Sequence, residues 1–263
     1  MSQDRWENAS AYDGYMGRWS RSLAREFVEW LHVHAGGRWL EIGCGTGSLT
    51  TAICELGQPA SLVACDTAPQ FVSYCRERLQ YPGLSVIEAI PGCLPVTAGG
   101  FDAVVSSLVL NFLPSPVDAL AQMRVSCSIG GCVAACVWDY SEGMEFLRIF
   151  WDTAAALDPT AQVLHEGQRF PLCKPGPLRS AFEASRLQAV EVAPITVATT
   201  FANFDDFWEP FVHGPGPAPT YVSSLNIPAR SALADRLRDA LGPDAPIHLR
   251  ARAWAAKGIR GDA

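Results

Sequence analysis

A chain of 263 residues is long enough for one large α/β domain, or a core plus a smaller cap, and buries a sizeable core easily. Its formal net charge of -7 argues against nucleic acid and against acidic membrane surfaces, neither of which attracts an anionic protein. The opening residues Met1 to Glu7 lack the apolar core of a signal peptide, and no stretch approaches the ~20 uncharged apolar residues of a membrane span, so a cytoplasmic location is expected. Nine cysteines with no C-x-x-C pair then read as reduced core residues, with no metal site expected.

Ahead of the first strand, Leu23, Phe27, Trp30, Leu31 and His34 recur at helical spacing, and Gly36-Gly37 is expected to end the helix. The segment before it, Tyr12 to Trp19, is too aromatic for a solvated leader. Next comes Trp39-Leu-Glu-Ile-Gly-Cys-Gly-Thr-Gly47, an apolar strand entering a loop with glycine at alternate positions. Such a strand feeding a helix is the first unit of a doubly wound α/β sheet. The dinucleotide fingerprint G-x-G-x-x-G would need its last glycine at position 48, where this chain has Ser48.

The helix after the loop carries Leu49, Ile53 and Leu56 on one face and is ended by Gly57-Gln-Pro59. A second strand, Ser61 to Asp66, ends in a carboxylate placed to accept ribose hydroxyl protons; a cap on the helix beginning near Pro69 is the other reading of Asp66. The pattern continues with a helix through Val72, Cys75 and Leu79, a third strand Leu84–Ile90, and a buried strand from Phe101 that runs into a loop ending at Pro114. Ser115-Pro116-Val-Asp118 starts a helix with a cap, a first-turn proline and an early acid. Gly130-Gly131 leads into an apolar fifth strand, Cys132–Trp138.

The spacing Glu41-x-Gly43-x-Gly45-x-Gly47, with Asp66, Leu94-Pro95 and the Phe101–Pro114 stretch in this order, resembles the class I S-adenosylmethionine (SAM) dependent methyltransferases, of the small-molecule type seen in ubiquinone and menaquinone biosynthesis. The resemblance implies a doubly wound, Rossmann-like seven-stranded sheet of order 3-2-1-4-5-7-6 whose last strand, near 247–256, is antiparallel, with the sixth near 187–199. It also implies N-terminal lid helices over 1–37, a SAM-binding core over 38–138, and a remainder over 139–263 with cap insertions at about 139–180 and 201–245. Carried over onto this sequence, the cofactor contacts are Arg18, Glu41, Gly43, Cys44, Gly45, Gly47, Asp66, Thr67, Gln70, Ser107, Leu108 and Phe112. At position 90 the family usually has an acid that holds the adenine amino group; this chain has Ile90, so backbone and apolar contacts are expected there instead.

Under this resemblance the reaction is transfer of a methyl group from SAM, with S-adenosylhomocysteine (SAH) as product, to a small apolar or aromatic metabolite of secondary metabolism. In-line displacement needs alignment and dryness more than any universal catalytic residue. The substrate walls expected are Trp19, Trp138, Tyr140, Trp151, Trp208 and Phe211. For a general base, His213 in a Gly-Pro loop comes first, since histidine changes charge near neutral pH, with Asp139 next and Tyr15 as a lid residue reaching the site. Two rivals stand beside this: a SAM-binding protein of the same fold without turnover, whose pocket would be filled by its own side chains, and an NAD(P)-dependent oxidoreductase, against which Gly47 and Ser48 argue. The partner expected is a small molecule, with neither nucleic acid nor membrane, and a homodimer is left open.

Overall fold

A computed structural model describes residues 17–90, 92–214, 216–242 and 246–262. The elements run α1 (Arg18–Leu31), β1 (Arg38–Ile42), α2 (Ser48–Ala52), β2 (Ser61–Asp66), α3 (Pro69–Arg78), β3 (Leu84–Glu88), β4 (Phe101–Ser107), α4 (Pro116–Ser126), β5 (Cys127–Trp138), α5 (Glu145–Leu157), α6 (Glu166–Arg169), α7 (Pro175–Ala184), β6 (Leu187–Phe201), α8 (Phe204–His213), α9 (Pro217–Ser224), α10 (Ile227–Leu241) and β7 (Ile247–Arg260). The strands form one seven-stranded sheet of order β3-β2-β1-β4-β5-β7-β6. Strands β1 to β5 pair in parallel, while β7 is antiparallel to both β5 and β6. This is the doubly wound Rossmann-like sheet expected from the sequence.

Alternation along β1 sets the two faces. Trp39 joins one apolar core with α1, α2, α5 and the helices between β6 and β7; Leu40 joins another with α4 and α7. A small third cluster of Cys44, Ala64, Val72, Cys75 and Val86 seats α3. Of the 139–180 insertion, α7 packs on α4, β6 and β7 and so belongs to the sheet's second helical layer.

Boundaries differ from the sequence reading where backbone geometry overrides side-chain pattern. Helix α1 ends at Leu31, because His32 turns left-handed (φ 53), and His34 lies beyond it. Strand β3 stops at Glu88, and Ile90 makes only an isolated bridge to Cys93. Strand β5 begins at Cys127 and runs through Gly130-Gly131, with a register shift against β4 between Phe101 and Ala103.

The hairpin of β6 and β7 places the second insertion. Trp138, the last residue of β5, pairs with Ala253, whereas Phe201 pairs with Ile247 at the hairpin's far end. The hairpin therefore continues about six residues past β5, roughly 20 Å at strand rise. Since β6 runs in the direction of β5, α8 to α10 emerge at the carboxyl ends of the parallel strands. The chain after β5 clasps the projecting edge: Met144 bridges Ala251, Asp139 N–H donates to Arg252 O (2.9 Å), and Arg252 N–H donates to Gly143 O (2.9 Å). No helix among the described residues is long and apolar enough to cross a membrane.

Candidate cofactor and substrate site

A cavity opens at the carboxyl ends of β1, β2, β4 and β5. On one side it is lined by Glu41, Gly43, Cys44, Gly45 and Thr46, by Asp66 and Phe71, and by Ser107, Leu108, Val109 and Phe112. On the other it is lined by Trp138, Tyr140, Leu147, Gly216 and Pro217, with Ser20, Ser48 and Leu49 completing the wall.

The glycine loop is held by its neighbours and open to the cavity. Gly43 and Gly47 have φ of +75° and +84°, conformations that glycine adopts without a Cβ penalty. A Cβ on Gly43 would run into Val109, and one on Gly47 would sit 2.6 Å from Leu79 Cδ1. At Gly45 a Cβ would meet nothing within 4 Å, so there the backbone itself faces open space. Asp66 fixes this shape: one carboxylate oxygen accepts from Gly45 N–H (2.9 Å) and the other from Ala68 N–H (3.0 Å). A carboxylate has about four lone-pair sites, which leaves acceptor capacity on the cavity side.

Glu41 is 1% exposed, and Thr50 Oγ1 donates to it at 2.6 Å. Burial raises its pKa to about 7, against the lowering effect of the Thr50 bond and with a smaller raise from the Asp66 charge. Leu108 has φ +62°, unusual for a side chain with a Cβ, and its N–H donates to Cys136 O (2.8 Å). Strain of this kind clusters at functional sites and is held there by surrounding structure. Phe112 and Tyr140 both pack on Phe170, with ring centroids 5.2 and 5.1 Å away.

The structure separates the sequence candidates. Glu41, Gly43, Cys44, Gly45, Asp66, Ser107, Leu108, Phe112, Trp138 and Tyr140 line the cavity. Gly47 supports the loop from behind, and Thr67 and Gln70 flank the lining residues Asp66 and Phe71 without lining it themselves. Ile90 is 70% exposed and does not line it, because β3 has already ended.

Arg18 also lies elsewhere, paired with Asp206 (3.2 Å) and set over the rings of Trp19 and Phe201. Trp19, Trp151 and Phe211 are core: Trp19 packs on Phe146 (4.7 Å), Trp151 on Tyr221 (5.7 Å), and Phe211 stacks on Phe150 (4.4 Å). Trp208 stacks on Phe204 (6.3 Å), away from the cavity. His213 ends α8 and does not line the cavity. Tyr15 lies outside the described residues.

Asp139 is not a free base. Arg252 Nε and Nη2 donate to one of its oxygens at 2.9 and 2.6 Å, while Ser141 N–H, Ser141 Oγ and Glu142 N–H donate to the other. Burial would raise its pKa, but these bonds and the Arg252 charge outweigh burial and hold it low.

The lining residues Ser20, Phe71, Val109, Leu147, Gly216 and Pro217 carried no signal in the sequence as site residues. For Gly216-Pro217 the only hint was a rigid Gly-Pro loop in the second insertion.

Fold and cavity together define a Rossmann-like protein with a glycine loop and the Asp66 carboxylate at its strand ends. Residues 40–135 match the family described as "Methyltransferase domain". A ubiquinone biosynthesis O-methyltransferase of Xanthomonas axonopodis pv. citri is 34% identical over 35% of this chain and 38% of its own length. The aklanonic acid methyltransferase DauC of Streptomyces sp. is 30% identical over 49% of this chain and 60% of its own length. This chain thus matches less than two thirds of either relative's length.

Among solved structures, phosphoethanolamine N-methyltransferase 2 of Haemonchus contortus, in complex with phosphomonomethylethanolamine and SAH, superposes with a TM-score of 0.58. It does so at 12% identity over 97% of this chain and 57% of that one, a likeness of fold.

Proposed function

We propose that the protein transfers a methyl group from SAM to a small apolar or aromatic metabolite. The observation that carries this reading is one cavity bounded on one side by the Gly43–Gly47 loop and Asp66, and on the other by Trp138, Tyr140, Leu147 and Pro217. The names of the two curated relatives, one in ubiquinone biosynthesis and one acting on aklanonic acid, support a small-molecule substrate.

The residues present fit the cofactor. The open backbone at Gly45 leaves room for close approach, Asp66 has acceptor capacity for ribose hydroxyls, and Leu108, Val109 and Phe71 supply apolar surface for a base. With Ile90 exposed, the adenine amino group is left to backbone groups of the same rim. SAM supplies an electrophilic methyl carbon on a sulfonium. The chain's own contribution is orientation: holding two reactants in line can supply roughly 7–11 kcal/mol of a barrier.

Among the described lining residues there is no histidine or lysine; the titratable side chains on the cavity are Glu41, Cys44, Asp66 and Tyr140. Segments 1–37 as lid and 201–245 as cap remain part of this proposal; among the described residues of the latter, Gly216 and Pro217 line the cavity.

Calorimetric titration with SAM, SAH and NAD⁺ tests the reading. Wild type is expected to bind both adenosyl ligands and not NAD⁺, and Asp66→Ala to weaken them by at least about tenfold, near 1.4 kcal/mol. Binding of NAD⁺ alone, or of nothing, would sink it.

A further inference from the structure

Two rings on the rim of the cavity share a support that does not itself line it. Phe112 closes the short turn after β4, Tyr140 follows β5, the strand paired with β4, and both residues line the cavity. Phe112 is also 39% exposed, which puts it at the mouth. Phe170, between α6 and α7, meets both: its ring centroid stands 5.2 Å from Phe112, edge to face at 78°, and 5.1 Å from Tyr140, tilted by 39°.

The support is firmly anchored. Cys173 N–H donates to Phe170 O (3.1 Å) and Lys174 N–H to Leu172 O (2.8 Å). Cys173 is 1% exposed, and the chain passes straight into α7, which packs on α4, β6 and β7. The turn that carries Phe112 is short and strained by comparison. It follows the left-handed Leu108 (φ +62°), spans Leu110–Phe112, and is closed by Phe112 N–H to Val109 O (2.9 Å) and Leu113 N–H to Leu110 O, long at 3.4 Å. Tyr140 stands in a tight turn of its own, its N–H donating to Trp138 O (3.1 Å).

Aromatic pairs at such spacings attract one another beyond the area they bury. Each rim ring is therefore held through Phe170, and a displacement of one loop is passed to the other through the same ring. A bound molecule leaves such a cavity past its mouth, and opening of this kind sets the turnover of many enzymes.

We propose that Phe170 is a positioning residue that couples the loop after β4 to the loop after β5, and through Phe112 sets how fast the adenosyl product leaves. The second half rests on the cofactor reading above; the coupling does not.

Hydrogen exchange of the ligand-free protein tests the coupling. Phe170→Leu keeps an apolar side chain and deletes the ring, whereas Phe170→Tyr keeps the ring. Phe170→Leu is expected to speed exchange about three- to tenfold in segments 108–113 and 139–143 together, and Phe170→Tyr to restore the wild-type rates. Acceleration confined to the neighbours of position 170, or to one of the two segments, overturns the proposal. If Phe170→Leu fails to fold, Phe112→Leu and Tyr140→Leu take its place: each is expected to speed exchange in the other's loop, and a response confined to its own loop overturns it equally.

Dissociation of labelled SAH, chased with unlabelled SAH, tests the second half. Phe170→Leu and Phe112→Leu are each expected to speed it about three- to tenfold, and the double variant no more than the larger single effect, because both remove one interaction. Effects that multiply would show that Phe170 does not act through Phe112 and overturn this half. Failure of wild type to bind SAH strikes the cofactor reading instead, and the exchange pattern still decides the coupling.

Discussion

Glu41 is the residue where burial and charge conflict most openly. The residue lines the cavity and is closed from solvent, with donors from the Thr50 hydroxyl and backbone and the Asp66 charge near enough to oppose ionisation. The folded pKa of about 7 stands above the unfolded 4.5, so the native state holds this proton more tightly across that interval. Its contribution to stability is thus complete below about 4.5 and is lost as the pH rises through 7, on the order of 3 kcal/mol over the whole window.

Glu41→Gln removes the titration. Denaturant melts at pH 5 and pH 8 should show wild type losing more stability on the alkaline step than the variant does. His165, whose pKa burial lowers, acts with the opposite sign in the same range but equally in both proteins, and cancels in the comparison. The sequence offered Glu41 only as part of a motif. Its state depends on Thr50 and on the closure of the sheet, neither of which motif spacing reveals.

At the scale of elements, the glycine loop was the most legible part of the chain, because its requirements are local. Gly43 and Gly47 carry positive φ and stand against Val109 and Leu79, neighbours that any sheet of this order brings close. Gly43→Ala forces a Cβ into Val109, a lining residue, at a φ that alanine resists. The expected result is SAH affinity down by at least about tenfold with far-UV circular dichroism unchanged; retained affinity would mean that the loop tolerates displacement.

The aromatic walls were less legible for the converse reason. Trp138 and Trp151 look alike in sequence, yet one ends a parallel strand at the cavity and the other faces inward from α5 onto Tyr221. Arg18 looked like a cofactor ligand until folding brought it Asp206, 188 residues away. Such outcomes are settled by long-range packing that periodicity does not encode.

Across the whole molecule, one apolar core links the sheet to the roof: Trp39 and Ala134 of the sheet share it with Phe150, Phe211 and Tyr221 of the helices above. Sheet and roof should therefore unfold together. Phe150→Ala, which removes a ring stacked 4.4 Å from Phe211 and edge-on to Trp151, is expected to cost about 3–5 kcal/mol. Calorimetry should show this as a lower temperature of a single two-state transition; a separate second peak would mean that the roof is an independent unit.

Strand order came from the family resemblance that the glycine loop and Asp66 carry, not from the apolar pattern, and the six-residue overhang of the β6–β7 hairpin was not legible, since nothing in its alternation marks where β5 stops. A last consequence follows from the order in which the cavity's walls are encoded. Lining residues run from Ser20 to Phe112 and resume only at Trp138, with none in α4. That helix is a natural recombination seam: a chimera joined there would inherit the glycine-loop side of the cavity from one parent and the Trp138 side from the other.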